Sequence, residues 1–255
     1  MAEVLNFEHN GITVNATESP EAMGGLGDNV IGLVGTAPNA HASIPKNAPF
    51  RINSFTTQAL LDPTGTESGT LFQAVYQILK VVKVPVYVVI VEEGATPADT
   101  INNVIGGNDP VTGRKLGLAA LSSVPEDLTI IGAPGFTGTK AVAGEFASFG
   151  KRIKARVVLD GKDASVADQV TYSGELGGAD LGFDRCLLVH NMPSVYSKAA
   201  KKNVFLSPSS LAIAALAKVK QWESPGNQVT FAEDVSRVVE YNILDTSTEG
   251  DLLNR

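Results

Sequence analysis

The sequence predicts an α/β fold: a central, mostly parallel or mixed sheet flanked by helices, with an extended N-terminal arm. Three observations lead there. The run Val86-Tyr87-Val88-Val89-Ile90-Val91 is β-rich and apolar at successive positions, as in a strand buried on both faces in the middle of a mostly parallel sheet. Short runs of that kind alternate with stretches whose apolar residues recur at helical spacing, the pattern of βαβ units with right-handed crossovers. The first 28 residues follow neither pattern. Val4, Leu5 and Phe7, then Ile12 and Val14, form short apolar patches separated by Asn10-Gly11, and Gly24, Gly25 and Gly27 follow as a flexible joint. Residues 1–28 are therefore expected to be an arm and glycine hinge, and 29–255 the α/β body.

Within the body, Val30 to Gly35 reads as the opening strand, ended by Thr36-Ala37-Pro38-Asn39, and Phe50 to Asn53 as a second extended piece. A helix is expected near Thr70 to Val82, because Leu71, Val75, Ile78 and Val82 make one apolar stripe. After the Val86–Val91 strand, Pro97 opens a short helix at a position where proline is favoured. Gly106 to Pro110 reads as a loop and Gly113 to Val124 as a helix. Leu128 to Ile131 is a third strand. Thr139 to Ile153 is a helix on the spacing of Val142, Phe146, Phe149 and Ile153. Arg156 to Asp160 is a fourth strand. Ser165 is placed as the cap of a helix reaching Tyr172, Arg185 to Val189 as a fifth strand, and Pro208 to about Trp222 as an alanine-rich helix stopped by Ser224-Pro225-Gly226-Asn227.

The bulk properties narrow the function. Charged residues are 18% of the chain, below the roughly 25% of an average soluble domain, so surface is hidden either inside or against partners. A net charge of -7 disfavours sequence-independent nucleic-acid binding. The single cysteine, Cys186, sits in an apolar run and reads as a small buried hydrophobe; alone it makes no intrachain disulfide. No basic patch precedes an apolar core at the N-terminus, and the longest apolar run, Val81 to Val91, is broken by Lys83 and Pro85 and is too short to span a bilayer.

No catalytic, cofactor-binding or metal-ligating set emerges. Gly132 to Lys140 follows a strand and precedes a helix, as a phosphate loop does, but Thr139 stands where the P-loop needs glycine, Ala141 replaces its hydroxyl, and Pro134 lacks an N–H. Asp160 ends a strand, where open α/β sheets place ligand groups. Asp160-Gly161 is also turn chemistry, and no second carboxylate or base is tied to it by spacing. His9, His41 and His190 are isolated from ligand-spaced partners.

Several segments together resemble the tail sheath proteins of contractile phages and related contractile injection particles. These are Val30 to Pro38, Gly69-Thr70-Leu71, Asn103 to Gly107 with Thr112-Gly113, Ala133-Pro134-Gly135-Phe136, Ser207-Pro208-Ser209-Ser210, and Trp222 to Asn227. Each is weak alone; their order and spacing carry the resemblance.

The resemblance implies a structural, non-enzymatic subunit without cofactors. Such subunits assemble as stacked hexameric rings around a tail tube and contract to drive the tube through the host envelope. It implies partners (further copies of itself, the tail tube protein, baseplate and tail terminator proteins), no nucleic acid and no membrane insertion. It implies a place in the virion tail after synthesis in the host bacterial cytoplasm. It also implies that the arm residues Val4, Leu5, Phe7, Ile12 and Val14, swung on Gly24, Gly25 and Gly27, add strands to neighbouring subunits. Family members usually continue past the segment matching Ile243 to Arg255 into a C-terminal domain facing the tube, which this sequence is expected to lack. The alternatives are a small-molecule- or nucleotide-binding α/β enzyme, suggested by the βαβ pattern and the glycine-rich turn, and another capsid or baseplate protein.

Overall fold

The structure is a computed structural model and describes residues 29–162, 166–177, 181–190, 192–223 and 235–238, the last group as backbone only. Its elements run β1 (Ile31–Thr36), β2 (Phe50–Ile52), α1 (Phe55–Gln58), a 3-10 turn (Ala59–Leu61), α2 (Leu71–Val81), β3 (Val86–Val91), α3 (Pro97–Ile105), β4 (Gly107–Asn108) and β5 (Lys115–Leu116). They continue with a 3-10 helix (Gly117–Ser123), β6 (Ile130–Gly132), α4 (Lys140–Ile153), β7 (Arg156–Asp160), α5 (Val166–Leu176), β8 (Cys186–Val189), β9 (Pro193–Ser197), β10 (Lys202–Phe205), α6 (Pro208–Lys218) and β11 (Val235–Val238).

The main sheet is mixed and mostly parallel, in the order β2-β3-β1-β6-β7-β8; only the edge strand β2 runs antiparallel. Counted along the chain, the five parallel strands therefore lie 2-1-3-4-5, a doubly wound order whose reversal falls between β1 and β6. Both faces are covered, and the strand alternation divides the apolar side chains cleanly between them. Ile31, Leu33, Val86, Val88, Ile90, Ile130 and Val158 face α2 and α6, where Leu71, Val75, Ile78 and Ile213 are fully buried. Val34, Tyr87, Val89, Ile131, Val157 and Leu159 face Leu118, Leu121, Val142, Phe146 and Tyr172 on the other side. Two buried faces explain why β3 is apolar at every position.

The helix from Pro97 starts as expected, and the reason is local: Thr96 accepts from the Asp99 amide while the Asp99 side chain accepts from the Thr96 amide, with Pro97 in the first turn. The helix expected over Gly113 to Val124 is not formed. Gly113 and Gly117 both take positive φ, 67° and 53°. A Cβ on Gly117 would lie 2.4 Å from the Asn103 carbonyl oxygen. The close approach of two backbones there breaks the segment into β5 and a 3-10 helix. The alanine-rich helix stops at Lys218 rather than near Trp222. Asn29 Nδ2 donates to the carbonyls of Leu216, Ala217 and Val219 at 3.4, 3.1 and 2.7 Å, capping the helix end while Val219 turns extended.

The sequence did not foretell a second, three-stranded sheet, β10-β9-β11, antiparallel throughout. Residues 1–28, with the arm positions Val4, Leu5, Phe7, Ile12 and Val14 and the hinge glycines Gly24, Gly25 and Gly27, lie outside the described residues, as do the proposed helix cap Ser165 and the tail beyond 238.

Candidate functional site: a braced crevice and an open groove beside one helix

Doubly wound sheets hold ligands at the carboxyl ends of their strands where the order reverses, here between Thr36 at the end of β1 and Gly132 at the end of β6. One side of this crevice is bridged by the chain's own groups, and beside the bridge a cavity of about 360 Å³ stays open, lined by Gly69, Thr70, Pro134, Gly135, Phe205 and Ser207. Asp160, 4% exposed at the end of β7, points its carboxylate across the gap. Oδ1 accepts from the Ser207 hydroxyl at 2.5 Å and the Ser209 amide at 2.9 Å; Oδ2 accepts from the Gly135 amide at 2.9 Å and the Thr137 hydroxyl at 3.1 Å. A negative charge at the first turn of α6 satisfies amides that the helix leaves open and opposes the helix dipole favourably. The anion that a nucleotide-binding fold would draw from a ligand is thus supplied internally. Each carboxylate oxygen accepts two hydrogen bonds from the chain itself. The two expectations for Asp160, ligand group or simple turn, both give way to a third role as a latch between β7, the turn after β6 and α6.

The junction brings together segments far apart in the chain. Thr36 and Thr70 exchange hydrogen bonds, the Thr36 amide to the Thr70 hydroxyl at 3.3 Å and the Thr70 amide to the Thr36 carbonyl at 3.0 Å. Gly69 is held at φ 81°, and a Cβ there would lie 2.4 Å from the Thr36 carbonyl oxygen, so only glycine fits. The Gly135 amide also reaches Ser207 Oγ at 3.1 Å. Four of the segments that carry the sequence resemblance, around Thr36, Gly69-Thr70, Pro134-Gly135 and Ser207 to Ser210, therefore meet at one point of the fold. Behind them Tyr172, fully buried, donates to the Thr137 carbonyl at 2.7 Å. Burial, with the Asp160 and Glu175 charges adding to it, pushes its phenol up to about 12.

The near-miss phosphate loop, Gly132 to Lys140, forms the turn from β6 into α4, and Thr139 makes no side-chain cap there. Cys186 is half-buried at the sheet edge; burial, and then Asp184, push its thiol up to about 12, which keeps it protonated at neutral pH. His41 pairs through Nδ1 with the Ser43 hydroxyl at 2.8 Å in an exposed loop, and His9 lies outside the described residues. Among the described residues no group of three or more His, Cys, Asp or Glu side chains could hold a metal ion, and no helix is long and apolar enough to cross a membrane.

On its outer side α2 is open. A groove runs between it and β9, lined by Phe72, Tyr76, Lys80, Val195, Tyr196 and Lys198, with a cavity of about 430 Å³. Its α2 N-terminal end closes on the 62–67 loop. Burial would raise the Asp62 carboxyl, but the hydroxyls of Thr64 and Thr66 and the Glu67 amide outweigh it and hold the group below the usual carboxylate range. That ordered loop presents Glu67, whose Oε1 accepts from the Lys198 amide at 3.1 Å and ties the small sheet to the body. Tyr196 is 57% exposed, and Phe55, packed against the Tyr76 ring at 5.6 Å, is 42% exposed. Sequence reading missed this surface because its aromatics come from three separate elements.

The fold and the junction define an α/β scaffold whose crevice is braced by its own side chains and whose exposed aromatics lie on its flank. Comparison with known proteins gives the particular kind. No protein-family profile matches the chain. A protein assigned as a prophage major tail sheath protein in Pseudomonas aeruginosa (strain UCBPP-PA14) is 27% identical to it, over 98% of this chain and 65% of the relative. In fold the chain matches the sheath complex of the PVC extracellular contractile injection system in its contracted state, solved by cryo-EM. The TM-score is 0.55 at 12% identity, covering 96% of this chain and 60% of that one. The resemblance carried by the ordered segments is therefore shown twice, once in sequence and once in fold. The chain spans a little under two thirds of the length of these relatives.

Proposed function

We propose that this chain is a structural subunit of a contractile tail sheath, working by assembly with copies of itself rather than by catalysis. The observation that carries the reading is the match to a tail sheath protein along 98% of the chain, in a fold shared with a second sheath. The junction around Asp160 supports it from the physics. The segments that make the chain resemble sheath proteins converge on one junction, braced by four hydrogen bonds to one carboxylate.

In this reading the subunits stack as hexameric rings around a tail tube, joined at their ends to baseplate and tail terminator proteins, in a tail assembled from subunits made in the host bacterial cytoplasm. Contraction draws on the metastability of the extended assembly, so neither nucleotide nor cofactor is required. The N-terminal arm, through Val4, Leu5, Phe7, Ile12 and Val14 on the Gly24, Gly25 and Gly27 hinge, adds backbone hydrogen bonds to a neighbour's sheet edge.

Sedimentation of the intact chain against a version lacking residues 1–25 tests the arm. The intact chain is expected to form large particles and the shortened one to remain small while its globular body stays folded. Equal assembly of both would remove the arm from the account.

A further inference from the structure

The groove between α2 and β9 needs an occupant, and the chain carries one of matching chemistry. Residues 1–28 contain five acidic residues (Glu3, Glu8, Glu18, Glu21 and Asp28) and no lysine or arginine, so all 20 basic residues of the protein lie in the body. Lys80 and Lys198 rim the groove around the Tyr76 and Tyr196 rings, with Lys80 Nζ 5.6 Å from the Tyr76 ring centre. Glu67 stands beside Lys198 at the end away from Lys80, which would direct an acidic peptide toward the Lys80 end.

The dimensions agree. From Phe72 to Lys80 the helix rises about 12 Å. An extended Val4–Phe7 segment covers about 10 Å, with Leu5 and Phe7 on one side of the strand and able to enter the apolar floor together.

Topology puts the tether close by. The Ile31 amide donates to the Pro85 carbonyl at 3.0 Å, so β1 begins beside the short connection that leaves the Lys80 end of α2. Asn29 is fixed at the same end of the sheet by its bonds to the last carbonyls of α6. A glycine-containing coil of the length of residues 15–28 would have a root-mean-square span of about 20 Å, enough to return to that end. A linker of this kind gives an effective concentration on the order of millimolar, far above that of separate copies in dilute solution, so the chain's own groove is occupied before a neighbour's.

We propose that, in the unassembled subunit, residues 1–14 dock into the α2–β9 groove of the same chain. The segment is parked there, its apolar side chains covered, until neighbouring copies compete for it. The docking stands on the groove and the charge pattern; only its meaning as a brake on assembly rests on the proposed function.

Disulfide trapping in the full chain tests it, with Cys186→Ser as background. Phe7→Cys combined with Tyr196→Cys is expected to close an intrachain disulfide under mild oxidation, at a rate independent of protein concentration. Phe7→Cys combined with Val111→Cys, a site 90% exposed and outside the groove, is expected to close at least fivefold more slowly. Adding Lys80→Glu and Lys198→Glu to the first pair is expected to slow closure about threefold or more, the effect of lost opposite-charge contacts at a surface. Equal rates for the two pairs would mean a segment that does not dock. Disulfides that form only between chains, faster at higher concentration, would mean that the occupant comes from a neighbour. Either result overturns the proposal. A chain that closes the disulfide but never assembles would overturn the sheath reading and leave the docking intact.

Discussion

The two sides of α2 show what the same helix can be used for. Along its inner face it is packed: Leu71, Val75 and Ile78 are fully buried against the sheet, and Thr70 is bonded into the junction that Asp160 braces. Along its outer face, Phe72, Tyr76 and Lys80 remain partly open opposite the exposed Tyr196 of β9. The first side braces the body; the second displays aromatic and cationic groups on a surface. The difference teaches that this scaffold has its polar precision inside, where it fixes the shape of the body, and its adhesive groups outside.

The contrast breaks most readily at the latch. Asp160→Ala would leave the buried Ser209 amide and the Thr137 and Ser207 hydroxyls without this acceptor and is expected to cost about 2 kcal/mol or more of unfolding free energy, measured by urea denaturation. A loss below about 1 kcal/mol would mean that the junction is incidental. Next, Gly69→Ala forces a side chain into left-handed backbone against the Thr36 carbonyl and is expected to cost about 1–3 kcal/mol by the same measurement.

A third effect is set by pH. The Tyr172 phenol titrates at about 12 in the folded protein against an ordinary 10.0. Its folded value is raised, so its contribution is fully present below pH 10 and is lost as pH climbs toward 12, because the unfolded chain ionises first. Denaturant midpoints measured across that window are expected to fall more for the parent than for Tyr172→Phe. Smallest of all, Tyr196→Ala on the open side is expected to change stability by no more than about 0.5 kcal/mol while lowering the concentration at which self-association sets in during sedimentation experiments, because the docked arm is released. A large stability loss there would show that the groove belongs to the core.

The parts of the fold legible in the sequence were those where one force dominates. The double-sided burial of β3 demands six consecutive apolar residues, and the α2 stripe demands apolar residues at helical spacing, so both appeared in the pattern. What was missed depended on contacts between distant segments. The glycine approach between 103–106 and 117 turns an apparent helix into a strand and a 3-10 helix. Asn29 ends α6 from 187 positions away. The small sheet was hidden because β10 is polar and largely exposed along Lys202–Phe205, leaving no alternation to read. The junction itself was half legible. Its turns stood out as ordered Gly, Pro and Ser signals, but that Asp160 joins them could not be inferred, since nothing in its local sequence ties it to Ser207 and Ser209.

Electron microscopy of the purified chain, imaged over a range of concentrations, addresses the central claim most directly. The account predicts rings or hollow tubes built from repeated copies, with sixfold symmetry in projection down the axis. A population that stays monomeric up to the highest soluble concentration would contradict it.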